Sequence, residues 1–513
     1  MQAKFRSTAF LCLAGCVWGC ALLAHADAHE SRATPRGVMI QRGAQLALWG
    51  VTDDNYAIYQ AGPNLYATAL LPGAAQHFIA NIGDKLAFVQ TSGKVAFIWT
   101  DRPLTKLAGV SPLLIWTAAS GAKLASSASM VASFGTAASP DSKQVLFITG
   151  ADPGGTVGDL VLASADLTHQ RTLVARVAVD YTNSACAPLL GFAGCAEKSF
   201  AVAAYCRAGA ETATLTAAVR GNPTDLLENV AVPPRWSADA SAEHFVTSLA
   251  DTRAVVSVDT RGISRVLDDT PSYGAFLAGD GAVIELVAQD PSEPGELRRI
   301  ELGARPSVRS LAPISGSYYT SLHNGSGYYT DLPTAKDGKH LLYYNNVDPQ
   351  LGLTDLWLID LSSAPASPVT LAADLTVTTF GELFTADSRY ALYYKVDSAT
   401  GNPALHAASN ASDDREISDG YSAWNNYAAT GSTISYLDHT NFDPNDTSPN
   451  AFPGSGAVLV DLHSVDVAAH TLAPVLIARQ AYASYFPAYA RKTVVFSWDR
   501  ASDAAGIYLA WLP

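Results

Sequence analysis

Along most of the chain, apolar residues either alternate with polar ones or form unbroken blocks of about four, and each run ends at Gly, Pro, Asp or Ser, the pattern of short strands closed by turns. No segment of the body places apolar residues at i, i+3, i+4 and i+7 between caps, so helix is expected to be scarce. The strand runs also recur as a unit. Ser139-Pro140-Asp141-Ser142-Lys143 leads into Val145-Leu146-Phe147-Ile148 and then Asp159-Leu160-Val161-Leu162. Ala335-Lys336-Asp337-Gly338-Lys339 leads into Leu341-Leu342-Tyr343-Tyr344 and then Asp355-Leu356-Trp357-Leu358-Ile359-Asp360. Thr385-Ala386-Asp387-Ser388-Arg389 leads into Ala391-Leu392-Tyr393-Tyr394.

The turn that opens each copy has plain physics. Pro140 presets φ for a type I turn, Asp and Gly tolerate the conformations that follow, and the Lys or Arg after them keeps the tip solvated. Weaker copies centre on Asp84, Glu197, Asp239, Asp280, Gly431 and Arg491, with another at Asp53, and successive centres lie about 40 to 60 residues apart, the length of a four-stranded propeller blade plus loop. Many short antiparallel strands must close on themselves or leave edges, and radial repetition of small sheets answers that need. The expected fold is therefore all-β, a β-propeller of four-stranded antiparallel blades, about eight of them with seven to ten allowed. The last copy stops one strand short after Ile507-Tyr508-Leu509, and a strand over Val38 to Gln41 is expected to complete it, closing the ring with N- and C-terminal strands.

This wording resembles the repeat of TolB-type, WD-repeat-like bacterial β-propellers over roughly residues 84 to 513. The resemblance implies a fold rather than an activity, since such propellers serve as scaffolds, as envelope partners, as the front half of prolyl peptidases and occasionally as lyases. Two departures matter. TolB itself carries an α/β domain before its propeller, whereas strand-like sequence here begins by Leu46, and prolyl peptidases place a hydrolase domain after theirs.

Composition adds compartment. Lys4 and Arg6 precede an uncharged, mostly apolar stretch from Ser7 to Ala24 that ends in Ala24-His25-Ala26, so residues 1–26 read as a secretory signal peptide. Residues 27–45 then form an N-terminal segment and residues 46–513 one propeller domain, in the periplasm or secreted and not membrane-spanning once the signal is removed. Leu13-Ala14-Gly15-Cys16 supports a second reading, an outer-membrane lipoprotein anchored through Cys16. The formal net charge of −14, with no basic cluster in the body, argues against a nucleic-acid partner. Three of the six cysteines fall in the signal, leaving Cys186, Cys195 and Cys206, whose spacing is not that of a zinc site. A hairpin centred near Ala196 would set Cys186 opposite Cys206 and bond them, with Cys195 as the odd thiol; Cys195–Cys206 and Cys186–Cys195 are the alternatives.

Candidate chemistry is sparse. The chain has no Gly-x-Ser-x-Gly, P-loop, dinucleotide-binding glycine pattern or His-Glu-x-x-His, and Ser120-Gly121-Ala122-Lys123 reads as a hairpin turn rather than an acyl-transfer motif. No cofactor is expected, except that Asp438, Asp443, Asn445 and Asp446 (with Asn441) concentrate hard oxygen ligands suited to Ca²⁺ in one long loop. Tyr318, Tyr319, Tyr328 and Tyr329 flank a Gly-rich loop, and Tyr421, Trp424, Asn425 and Tyr427 form a second aromatic and amide patch of the kind that holds sugars and peptides. The function expected is a non-catalytic extracytoplasmic scaffold whose loop face binds a protein or glycan partner of the cell envelope. An enzyme with its site at the channel mouth, acting for instance on a polysaccharide, and a structural part of a surface assembly are the alternatives.

Overall fold

The computed structural model describes residues 36–511 apart from a number of strand connections, of which the longest are 179–192, 315–334, 419–427 and 439–458. The described residues contain no helix, and their strands form ten antiparallel sheets, nine of four strands and one of three. In chain order the sheets span residues 46–81, 86–130, 137–178, 193–230, 235–268, 272–314, 340–376, 383–418 and 428–482, with the tenth over 485–511; they are numbered 1 to 10 here. Ten stands at the top of the expected range. Sheet 1 was blurred in sequence because its opening turn, Thr52 to Tyr56, is one residue shorter than Ser139 to Gln144. Asp84, the centre of another copy read in the sequence, lies outside the described residues.

The chain divides into two compact units. The larger, residues 49–322 and 328–377, carries sheets 2 to 7 and sheet 1 from Trp49 onward. The smaller carries sheets 8 to 10 and the strand Val38–Arg42. As expected, that strand completes sheet 10, pairing Val38 with Leu509 and Met39 with Tyr508.

Within each unit the core lies between successive sheets. Ala96 and Ile98 of sheet 2 pack with Ile58 and Leu65 of sheet 1, while Val95, Phe97 and Trp99 of the same strand pack with Val145, Phe147 and Val161 of sheet 3. Leu146 and Ile148 of sheet 3 then meet Phe200 and Tyr205 of sheet 4. A second strand is thus covered on both faces, so it reads as an unbroken apolar block rather than as alternation. The smaller unit repeats the arrangement, with Leu392 and Leu405 against Ile434 and Val465, and Leu462 against Val494 and Phe496. Aromatic pairs sit directly opposite on neighbouring strands: Tyr59 with Tyr66, Tyr343 with Trp357, Tyr393 with His406, Tyr436 with His463, and Phe496 with Tyr508. Such pairs contribute about 0.2–1 kcal/mol each beyond Ala–Ala and help fix register.

The repeated Asp residues build turns and bulges. Asp141 accepts from Ser139 Oγ at 2.8 Å and from the Lys143 amide at 3.0 Å, and the next residue, Ser142, takes φ 58°. Thr385 and Asp387 repeat this at 2.6 Å, with Ser388 at φ 64°, and Asp337 accepts from the Lys339 amide at 2.9 Å, with Gly338 at φ 64°. The second Asp of the unit acts at the far side of its sheet. Asp159 accepts the Arg176 amide at 2.9 Å and Asp355 the Asp374 amide at 3.2 Å, and both donors belong to left-handed residues where the last strand of the sheet bulges.

Candidate functional site

Antiparallel order places the second-to-third connection of a four-stranded sheet at the same end as the exit from its fourth strand. The other end holds the first-to-second and third-to-fourth turns just described. These turns are tied from one sheet to the next by cations that donate to turn carbonyls. Lys123 Nζ reaches Asp166 O at 2.8 Å, Arg265 Nη1 reaches Gly303 O at 2.8 Å, and Arg299 Nη1 reaches Leu361 O at 3.2 Å. In the smaller unit Arg415 Nη1 reaches Val467 O at 3.0 Å and Ala469 O at 2.8 Å. The Asp166 carboxylate in one of these turns is held far below the usual range, chiefly by hydrogen bonds from Ser164 and Thr168.

The opposite end carries the length variation. The longest stretches between described strands leave the fourth strand of sheet 3 (179–192), of sheet 6 (315–339) and of sheet 8 (419–427), or join the second and third strands of sheet 9 (439–458). Tyr318, Tyr319, Tyr328 and Tyr329 belong to the second of these, Tyr421, Trp424, Asn425 and Tyr427 to the third, and Asp443, Asn445 and Asp446 to the fourth. All of these residues lie outside the described residues. Asp438 is the last residue of its strand, opposite Asp461. Asp461 stands before Leu462 as Asp159 and Asp355 stand before Leu160 and Leu356, so it occupies the bulge-supporting position of the repeat. No group of three or more metal-ligating side chains occurs among the described residues.

The cysteine hairpin turns later than expected. Ala193 pairs with Ala203 and Ala196 with Ser199, so the turn falls at 197–198, and Cys206 lies just past the strand that ends at Tyr205. Ala193-Gly194-Cys195-Ala196 presents small residues to both faces and gives register little to hold. Cys206 is disulfide-bonded. Cys195 pairs with Phe200, six positions back along a strand that rises about 3.3 Å per residue, which puts it out of bonding reach of Cys206. Cys186 lies outside the described residues.

Ser120 sits in the turn that the sequence implied, its amide donating to Thr117 Oγ1 at 3.1 Å, while Lys123 serves the sheet tie already noted. One histidine assembly was not foreseen. His406 stacks on Tyr393 at 5.4 Å and holds Asp414 through Nδ1 at 2.9 Å. Burial alone would raise the Asp414 carboxyl, but the hydrogen bond and charge of His406 keep it below the usual range, and burial pushes the Tyr393 phenol well up. The His406 side chain is 10% exposed, so the trio is largely buried within sheet 8.

No protein-family model and no curated protein matches this chain. Solved structures similar to it include dipeptidyl peptidase 4 of Porphyromonas gingivalis, at 12% identity and TM-score 0.43 over 81% of this chain and 66% of that one, just under two thirds of its length. TolB of Acinetobacter baumannii is similar at 13% identity and TM-score 0.28, over 63% of this chain and 77% of that one. Apo AztD of Citrobacter koseri is similar at 12% identity and TM-score 0.33, over 73% and 95%. At such identities a likeness concerns the fold alone, and in fold this chain is similar to TolB and other β-propeller proteins.

Proposed function

We propose that residues 46–513 act as one exported propeller module that binds a protein or glycan partner through the variable ends of its sheets and carries out no reaction there. The observation that carries this reading is the sorting of connections by end. In each unit the turn ends of the sheets are built from repeated Ser, Thr and Asp hydrogen bonds and tied sheet to sheet, whereas the longest connections between described strands leave from the opposite ends, and the sequence runs Tyr318 to Tyr329 and Tyr421 to Tyr427 fall within those connections. A rigid frame that varies at one end is how loop-borne binding sites are usually built. Export follows from the reading of residues 1–26, and no helix among the described residues is long and apolar enough to cross a membrane. The test is a pull-down from envelope extract with the chain starting at Asp27, run beside a hydrolysis screen on peptides and polysaccharides. Saturable capture of one protein or glycan without turnover is the expected result; turnover lost on replacing one polar residue would replace binding with catalysis.

A further inference from the structure

Glu285 is the middle residue of Val283-Ile284-Glu285-Leu286-Val287, the second strand of sheet 6, and none of its surface reaches solvent. An acid in an otherwise apolar strand must find a cation, a donor or a proton, because a lone buried carboxylate is too costly. The nearest cation is already engaged. Arg298 on the third strand binds Glu296 through Nε, approaches Asp268 Oδ2 at 3.3 Å and donates to Thr270 Oγ1 at 2.9 Å, and neither Glu285 oxygen accepts a hydrogen bond from it. Glu285 stands directly opposite Arg298 in the ladder, and the Arg298 guanidinium lies 3.3 Å from the carboxyl of Asp268, 9% exposed at the end of the fourth strand of sheet 5, so the acid brought beside Glu285 from the neighbouring sheet is Asp268. Two carboxylates cannot bond to each other unless one carries a proton.

We propose that Glu285 and Asp268 share a proton across the gap between sheets 5 and 6, forming a latch that holds the two sheets at neutral pH and releases at alkaline pH. The charged groups around the pair are Asp268 from sheet 5, and Glu296 and Arg298 from sheet 6, so the site holds two anions and one cation before Glu285 ionises. Ser310 on the fourth strand bonds Glu296 and adds no charge. Burial first, then the hydrogen bond and charge of Asp268, push the Glu285 carboxyl up to about 9, while Asp268, which burial alone would raise, is kept low by Glu285, Thr270 and Arg298. The proton therefore resides on Glu285.

The folded chain keeps this proton to about pH 9, whereas the unfolded chain loses it near the ordinary value of 4.5. Between those values the folded state binds one more proton, so stability falls as pH rises, by up to about tenfold in the unfolding constant per pH unit, and levels off above the folded value. The experiment measures urea unfolding of the full chain from about pH 5 to about pH 10 for the wild type, Glu285→Gln and Asp268→Asn, with the infrared carbonyl band of a protonated carboxylic acid followed in parallel. Glu285→Gln keeps a donor toward Asp268; it is expected to lose most of the pH slope and to match or exceed the wild type above about pH 8. The band is expected in the wild type at neutral pH and absent from that variant. Equal slopes in wild type and Glu285→Gln would overturn the latch, and so would a wild type without the band, a readout that stands even where a variant fails to fold.

Discussion

Replacing Arg415 tests the idea that cations from outer strands join neighbouring sheets. Its guanidinium touches four groups: the carbonyls of Val467 and Ala469 in sheet 9 at 3.0 and 2.8 Å, Asp413 at 2.6 Å, and the ring of Tyr390 with its centroid 5.6 Å away. A hydrogen bond with one charged partner contributes about 1.5–3 kcal/mol, but the side chain is 25% exposed and water can reach part of the turn, so each carbonyl contact is taken at or below the low end. The ring contact adds about 0.5–1 kcal/mol, and the Asp413 pair, in its own turn, at most about 1. Arg415→Ala should therefore destabilise the smaller unit by about 2–4 kcal/mol, and Arg415→Lys, a point charge that cannot serve both carbonyls and Asp413, should recover about half. Arg261→Ala is the matched control, since Arg261 is 77% exposed and pairs within its own turn with Asp259, for a cost below about 1 kcal/mol. Urea unfolding followed by circular dichroism gives the magnitudes, and hydrogen exchange across residues 403–482 shows whether the loss is local to sheets 8 and 9. An Arg415→Ala cost equal to that of Arg261→Ala, with unchanged exchange, would refute the reasoning.

Other outcomes follow from the same description. Tyr343 buries its hydroxyl without a hydrogen-bond partner, and burial pushes its pKa well up, so Tyr343→Phe should be neutral or stabilising by up to about 1 kcal/mol in the same urea assay. Non-reducing peptide mapping should join Cys206 to Cys186 and leave Cys195 alkylatable, because the ladder places Cys195 opposite Phe200; a disulfide peptide containing Cys195 would contradict that. Chelator should leave the melting temperature unchanged, since turns and bulges are held by Asp bonding to amides and hydroxyls; a large loss would point first to residues 438–446.

What was legible in the sequence follows from what each residue type can do alone. Second strands such as Val145-Leu146-Phe147-Ile148 stood out because burial on both faces demands an unbroken apolar block, and the Ser-Pro-Asp turn stood out because its side chains bond within five residues. The sheet ties did not stand out. Lys123, Arg265 and Arg299 bond to backbone carbonyls about 40 to 60 residues away, and a carbonyl has no sequence identity. The Ala193 to Ala196 strand misled because small residues fit either face. Glu285 did carry a signal, an acid centred in five apolar positions, though its Asp268 partner becomes visible only when sheets 5 and 6 are side by side. The aromatic and oxygen-rich clusters were read from composition, and apart from Asp438 they lie outside the described residues.

The most direct test of the binding proposal compares the two ends. With the partner captured from envelope extract, affinity would be measured for the wild type, for a triple Tyr421→Ala, Trp424→Ala, Tyr427→Ala variant, and for a turn-end variant carrying Lys143→Ala, Lys339→Ala and Arg389→Ala. Buried aromatic anchors carry about 2 kcal/mol or more each in protein interfaces, so the first variant should bind at least about thirtyfold more weakly while the second stays within about twofold of wild type. Loss of binding in the turn-end variant, with the aromatic variant unaffected, would contradict the account.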